Sequence, residues 1–161
     1  MKKNIKTMIL ELDVQRVFTT QEIPEDEQFK TWTKTALIAG GREENSQLAI
    51  RIVDEEEGQK LNEQWRHKKG PTNVLSFSMS GLDLIAPELL GDIVICAPII
   101  KKEAQEQSKT LQSHWAHMVI HGVLHLLGYD HSIDSEAEKM EMLEIKIMAE
   151  LGYSDPYQPA A

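Results

Sequence analysis

Hydrophobic residues along this chain follow two spacings, and each spacing predicts one kind of secondary structure. Apolar residues at every second position, or in short unbroken runs, are typical of strands, whereas a spacing of three to four residues is typical of amphipathic helices. Patterns of the first kind predict four strands, over Met8–Leu12, Leu48–Ile52, Thr72–Phe77 and Ile93–Cys96. Because Ile93–Cys96 is apolar at every position, we expect it in the interior of the sheet.

Helical spacing, together with capping and breaking residues, predicts about five helices between and after these strands. Proline favours the first turn of a helix, and glycine favours the position just after the last turn. The predicted helices run from Pro24 to Gly40, from a cap at Asp54 through Trp65, from Pro98 onward, over Thr110–Leu127, and from a capping box at Ser135 and Glu138 to Gly152. The inward face expected for the last helix is Met140, Leu143, Ile147 and Leu151. The chain is therefore expected to fold as a single domain over residues 1–161, with helices packed on a small sheet.

Three histidines near the end of the chain form the most informative motif. They lie in the run His121-Gly122-Val123-Leu124-His125-Leu126-Leu127-Gly128-Tyr129-Asp130-His131. Residues four apart on a helix project from one face, so the His121 and His125 rings lie one turn apart. Gly128 favours the left-handed conformation that ends a helix, which lets the chain bring His131 back over the same face. Three neutral imidazoles that converge on one point are typical of an open catalytic zinc site, with water in the fourth position. We therefore predict that His121, His125 and His131 bind one zinc ion.

Two further histidines on the same helix are excluded as ligands. A helix rises about 1.5 Å per residue, so His117 and His125 begin about 12 Å apart along its axis. A zinc ion requires each ligand nitrogen at about 2.0–2.1 Å, which ligands spread along one straight helix cannot satisfy. We expect His114 and His117 either to lie at the helix surface or to contact the ligands without binding the metal themselves. His67 lies in a basic loop and is expected to be solvated.

The composition gives some information on the cellular compartment and on how the chain can fold. At 161 residues and 41% hydrophobic, the chain is long enough to bury a core without disulfide bonds. Its single cysteine, Cys96, lies in an apolar run and is expected to be buried, which suits a reducing compartment. No secretory signal follows Met1, and no run approaches the roughly 20 apolar residues of a membrane span. A cytoplasmic protein with no membrane partner is therefore expected.

The net charge of −9 weakens any long-range attraction to nucleic acid, but its distribution is uneven. The central stretch 64–131 has 6 basic and 6 acidic residues, and the excess of acidic residues lies in the flanks. Arg66, Lys68 and Lys69 form a small basic cluster within the central stretch. A polyanion is therefore not excluded from a locally basic cleft near the histidines.

Two substrate classes suit a zinc-activated water, namely peptide bonds and phosphodiesters. Zinc peptidases of the H-E-x-x-H type carry a glutamate general base directly after the first histidine. Gly122 occupies that position here, which disfavours that peptidase mechanism. A phosphodiester requires positive charge on the phosphate oxygens, and the planar guanidinium of an arginine such as Arg66 suits this role. Spacing in sequence alone does not place Arg66 beside the histidines.

The histidine run resembles the H-G-x-L-H-L-x-G-Y-D-H signature of the YbeY family of bacterial endoribonucleases. Four shorter segments resemble the same family, and the likeness extends over nearly the whole chain. They are Leu61-Asn62 with Trp65-Arg66, Pro71-Thr72-Asn73-Val74-Leu75-Ser76-Phe77, Gly91-Asp92-Ile93 and Gly152-Tyr153. The resemblance implies an α+β fold with a mixed sheet, superficially like that of metalloproteases. It also implies one zinc ion on His121, His125 and His131, and an important arginine at Arg66.

The resemblance implies that the protein is an endoribonuclease directed at single-stranded RNA. The family acts in ribosomal RNA maturation, chiefly at the 3′ end of the small-subunit RNA, and in ribosome quality control. With the family included, we predict that Arg66 and His121 are catalytic, with RNA and ribosomal proteins as partners. Tyr129 and Asp130 are expected to orient the ligands.

Two other classes of function stay open at this point. One is a metallopeptidase that uses a carboxylate distant in sequence as its base. The other is a ribosome-assembly factor whose zinc is mainly structural. The oligomeric state is not predicted.

Overall fold

A computed structural model of the chain describes residues 7–20, 22–66, 72–79, 85–130 and 133–158, with only the backbone described for Trp65 and Arg66. Four strands and five helices lie within these ranges. In chain order they are β1 (Leu10–Arg16), α1 (Asp26–Ala39), β2 (Ser46–Val53), α2 (Glu55–Arg66), β3 (Val74–Ser78), β4 (Leu89–Cys96), α3 (Ala97–Glu106), α4 (Leu111–Leu126) and α5 (Asp134–Glu150). No helix in the described ranges is both long enough and apolar enough to cross a membrane.

The strands form one mixed sheet in the order β1-β2-β4-β3. β1, β2 and β4 run parallel to one another, and β3 pairs antiparallel with β4. The predicted α+β architecture is confirmed, and the apolar run at the end of β4 lies between two neighbours, as predicted. β4 begins at Leu89, earlier than Ile93, because Leu89, Gly91 and Asp92 pair with β2, although Gly91 and Asp92 interrupt the apolar pattern.

Alternate residues of β4 face opposite sides of the sheet and enter two separate cores. Ile93 and Ile95 belong to the larger core, which includes buried residues of α1, α4 and α5. Val94 and Cys96 belong to a smaller core, against which Leu61 of α2 packs. α4 and α2 therefore cover opposite faces of the sheet, and Cys96 is buried as predicted.

Helix ends near the histidines follow the predicted pattern. Thr110 caps α4, and its side chain accepts a hydrogen bond from the Ser113 backbone amide at 3.2 Å. After α4 the chain turns at Gly128, which has a φ of 99°, and the Tyr129 amide donates to the Leu124 carbonyl at 3.0 Å. A positive φ of this size costs glycine little but strains other residues, so the turn depends on Gly128.

The start of α5 corrects one prediction. The helix begins at Asp134 after the extended residue Ile133, so Ser135 lies inside the first turn and forms no capping box with Glu138. Asp134 and Glu136 fall in the first turn instead, where carboxylates interact favourably with the helix dipole. This acidic first turn explains why the helix starts two residues earlier than a cap at Ser135 would allow.

The buried face of α5 is also rotated from the one predicted. Leu143 and Leu151 are only partly buried against the core. The fully buried set is Met140, Glu144, Ile147 and Met148. α5 therefore places a glutamate among apolar residues, directly against α4.

Candidate metal centre

Two of the three predicted ligands meet on α4. The His121 and His125 rings are half-buried, their centroids are 4.5 Å apart, and their Nε2 atoms are 3.1 Å apart. Two nitrogens bound tetrahedrally to one zinc ion lie about 3.3 Å from each other. The pair therefore fits two adjacent ligand positions of a single ion. Without a metal, the same distance allows one ring to donate a hydrogen bond to the other.

Glu144 of α5 approaches the other side of the His121 ring. Its Oε1 lies 2.7 Å from His121 Nδ1, and its side chain is fully buried. The second carboxylate oxygen, Oε2, accepts a hydrogen bond from the Tyr157 hydroxyl. An ionised carboxylate only accepts hydrogen bonds, so the proton of the neutral His121 ring lies on Nδ1. The lone pair of the ring is then on Nε2, the atom that faces His125.

Electrostatics keep Glu144 ionised in spite of its burial. Burial raises the pKa of this carboxyl, but the adjacent His117 and His121 rings lower it by more, so the pKa falls from 4.5 to about 2. Burial and the hydrogen bond to Glu144 raise the pKa of the Tyr157 hydroxyl. Tyr157 is therefore the donor and Glu144 the acceptor.

His114 and His117 are buried, with exposures of 3% and 6%, so they are not surface residues of α4. His114 Nε2 lies 3.0 Å from Glu103 Oε1, a carboxylate that also accepts from Asn73 Nδ2 at 3.2 Å. His117 Nε2 lies 3.4 Å from Glu144 Oε1, and burial lowers the pKa of His117. The His117 ring is 6.3 Å from that of His121, so it does not join the close pair with His125.

Gly122, the residue after His121, faces the sheet. A Cβ at this position would lie 2.9 Å from Ile93 Cγ2 and 3.3 Å from Ser76 Oγ. The Ser76 hydroxyl donates to the Gly122 carbonyl at 3.1 Å. In H-E-x-x-H peptidases this position carries the general base. Here the helix packs closely against the sheet at this position, so a glutamate does not fit.

Other predicted site residues are only partly described. His131 lies outside the described residues, and in those ranges no three His, Cys, Asp or Glu side chains are placed to share a metal ion. Arg66 is the last residue of α2, and its side chain is outside the described part. Asp130 is exposed. The Tyr129 hydroxyl donates to the Gly40 carbonyl at 3.2 Å, which links α4 to the end of α1.

Sequence reasoning missed Glu144 and Tyr157. A signal for Glu144 is present, because it lies four residues after Met140 and three before Ile147, in line with the apolar face of α5. A carboxylate on such a face requires a buried partner. Tyr157 follows the helix in an irregular segment, where periodicity predicts no contact.

The sequence matches a known protein family and is similar to proteins of that family. A family model described as Endoribonuclease YbeY matches residues 14–152. The chain is 56% identical to Endoribonuclease YbeY of Pseudomonas fluorescens over 150 residues, which cover 92% of this chain and 97% of that protein. It is 53% identical to Endoribonuclease YbeY of Pseudomonas entomophila over 150 residues, which cover 92% of this chain and 94% of that protein.

A solved structure is similar in fold. The solution structure of TM1509 from Thermotoga maritima matches with a TM-score of 0.55 and 23% identity, over 93% of this chain and 99% of that chain. At this level of identity the likeness concerns the fold alone, and it agrees with the four-stranded mixed sheet and its helices.

Proposed function

Since this chain belongs to the Endoribonuclease YbeY family, we propose that it is a zinc-dependent endoribonuclease that cleaves single-stranded ribosomal RNA. The family supports RNA as the substrate and phosphodiester cleavage as the reaction. The observation that carries the metal dependence is the convergence of His121 Nε2 and His125 Nε2 at 3.1 Å. A deeply buried glutamate behind His121 is the kind of support that metal-binding histidines commonly have.

Three side chains would hold the metal, namely His121, His125 and His131. A zinc ion held there would supply positive charge that polarises a phosphoryl oxygen and lowers the pKa of water. A neutral His121 ring presents the lone pair of its Nε2 atom, because Glu144 accepts the Nδ1 proton. Both rings are half-buried, so the pair stays accessible to a substrate at the surface.

Arg66 is proposed to stabilise the charge that develops on the cleaved phosphate. Support comes from the family motif in which it lies and from the chemistry of its guanidinium group, which binds two phosphate oxygens at once. Its place at the end of α2, next to the basic residues Lys68 and Lys69, suits contact with an RNA backbone. The biological substrate we propose is the 3′ end of the small-subunit RNA, with a further role in ribosome quality control in the cytoplasm.

A peptidase of the H-E-x-x-H type receives no support from the site, because Gly122 packs against Ile93 and Ser76. A purely structural metal is also disfavoured. Structural zinc sites are closed by four protein ligands, whereas the described ligand pair is half-exposed.

The test compares wild-type protein with His125→Ala and His67→Ala variants. We expect about one zinc per wild-type chain by elemental analysis, and cleavage of a single-stranded RNA that a chelator abolishes. His125→Ala should lose the zinc and slow cleavage by more than about 100-fold, since a catalytic metal contributes several kcal/mol to the transition state. His67→Ala, outside the ligand set, should keep the zinc.

Cleavage by chelator-treated wild-type protein at the original rate would contradict the proposed zinc dependence. Equal cleavage by the His125→Ala variant would point to a contaminating nuclease, or to another site, and would contradict the assignment. The product ends identify the nucleophile, because a 2′,3′-cyclic phosphate forms only when the ribose 2′-hydroxyl attacks.

A further inference from the structure

The segment after α5 folds back onto the helix that carries the ligands. Gly152 turns the chain with a φ of 88°, and the Lys109 ammonium group, just before α4, donates to the Pro156 carbonyl. Tyr157 then lies with its ring centroid 5.3 Å from that of His117, at an angle of 83°. These contacts hold the Tyr157 hydroxyl against Glu144, at the back of the candidate metal centre.

We propose that Glu144 and Tyr157 form a positioning clamp that fixes the tautomer and orientation of the His121 ring and so sets the metal affinity of the centre. The clamp is the hydrogen-bonded series from the Tyr157 hydroxyl through the Glu144 carboxylate to His121 Nδ1. The proposal rests on the metal centre proposed above and adds two positioning residues to it. Neither residue touches the point where the metal would bind.

The geometry explains why both members are needed. A neutral histidine binds a metal through the nitrogen that lacks a proton, so a proton on Nε2 would remove His121 from the ligand set. Glu144 Oε1 holds the proton on Nδ1, which leaves Nε2 facing His125. Tyr157 engages the other oxygen of Glu144 and thereby fixes the rotation of the carboxylate.

A role in folding alone does not account for Glu144. Its buried neighbours on α5 are Met140, Ile147 and Met148, and a buried ion pair is often no more stabilising than apolar residues of similar volume. The hydrogen bond to the His121 ring explains why a fully buried carboxylate lies in this apolar row. Carboxylates that accept from a metal-bound histidine raise the basicity of the ligand and its affinity for the metal.

The test measures zinc affinity in the full-length protein by competition with a chromogenic chelator. Glu144→Gln keeps the shape of the side chain and removes the charge, and we expect it to weaken zinc binding by about 10–100-fold. Tyr157→Phe removes only the hydroxyl, and we expect a smaller loss in the same direction. Tyr153→Phe removes a hydroxyl from the same C-terminal segment without a contact to Glu144, and it should bind zinc as the wild type does.

A second readout does not require the metal. In chelator-treated protein at pH 8, nitrogen-15 NMR of the histidine rings should show His121 with its proton on Nδ1. Glu144→Gln and Tyr157→Phe should shift this tautomer towards a mixture, whereas Tyr153→Phe should leave it unchanged. A variant with a purely structural defect would lower the melting temperature without this tautomer change.

The outcomes separate the clamp from the proposed function. Wild-type protein that binds no zinc would overturn the metal centre, while the tautomer measurement would still decide the clamp. If Glu144→Gln does not fold, Tyr157→Phe carries the test. Folded variants with wild-type zinc affinity and an unchanged His121 tautomer would overturn the clamp, as would a wild-type ring that carries its proton on Nε2.

Discussion

The two nitrogens of His121 face different partners, and this asymmetry gives the candidate centre its chemistry. Nδ1 faces the Glu144 carboxylate at 2.7 Å, and Nε2 faces the His125 ring at 3.1 Å. A histidine without a fixed partner samples both tautomers, so its metal affinity would be lower. The proposed ligand His121 therefore depends on a residue from another helix, 23 positions later in the chain.

The sequence predicts the His121–His125 pair because four residues make nearly one helical turn. It does not predict Glu144 as the partner, since that contact depends on how α5 rotates against α4. The rotation is set by packing between distant segments, which no local spacing encodes. The same limit applies to His114, whose Glu103 partner lies on α3.

The acid stability of the protein should depend on Glu103. Partial burial raises the pKa of Glu103, but hydrogen bonds from His114 and Asn73 lower it by more, so the net shift is downward from 4.5. A carboxyl with a lowered pKa stabilises the fold fully above its unfolded pKa, and the contribution is lost as the pH falls through the folded value. We expect Glu103→Gln to reduce the free energy of unfolding at pH 7 by about 1 kcal/mol, with a smaller penalty near pH 3.

Urea unfolding at a series of pH values measures this effect. Glu106→Gln, an exposed change on the same helix, serves as the control and should follow the wild-type curve. Equal losses for Glu103→Gln at pH 7 and pH 3 would contradict the explanation by the hydrogen-bonded, ionised carboxylate and leave only a packing effect.

At the scale of elements, the close approach of α4 to the sheet decides how the ligands are presented. Gly122 lets the helix backbone lie against Ile93 of β4 and Ser76 of β3. His121 and His125, on a different side of α4, remain half-exposed. The sequence indicates a helix here, but its apolar face is too extensive to show which side meets the sheet.

Gly122→Ala should therefore destabilise the protein, although alanine is the better helix former. The new Cβ would lie 2.9 Å from Ile93 Cγ2, and Ile93 is fully buried and has little room to move. We expect a loss of about 1–3 kcal/mol in the free energy of unfolding, as for other overpacked sites. Chemical denaturation measures the change.

Gly58→Ala in α2 is the matched control. A Cβ there would meet Cys96 Cβ at 3.5 Å and Val53 Cγ2 at 3.8 Å, which are ordinary contact distances. The higher helix propensity of alanine should raise stability by about 0.5–1 kcal/mol. Equal effects of the two substitutions would show that helix propensity, and not the contact with Ile93, governs position 122.

At the scale of the whole molecule, the order of the strands is the part of the fold that the sequence does not supply. Spacing identifies which residues of a strand are buried, as for Ile93 and Ile95, but not which strand lies beside it. The antiparallel pairing of β3 with β4 therefore appears only in the structure. That pairing places Ser76 beside α4 and so connects the sheet to the candidate centre.

The candidate centre also joins two helices that pack into the same core, so metal binding should stabilise the whole protein. His121 and His125 lie on α4, Glu144 lies on α5, and both helices pack into the larger core with the sheet. A ligand that binds only the native state adds about 2.7 kcal/mol of stability at a concentration 100 times its dissociation constant. We expect zinc at that excess to raise the melting temperature of chelator-treated wild-type protein by several degrees, as measured by calorimetry. His125→Ala should melt at the same temperature with and without zinc, and an equal rise in this variant would place the bound metal somewhere other than the His121–His125 pair.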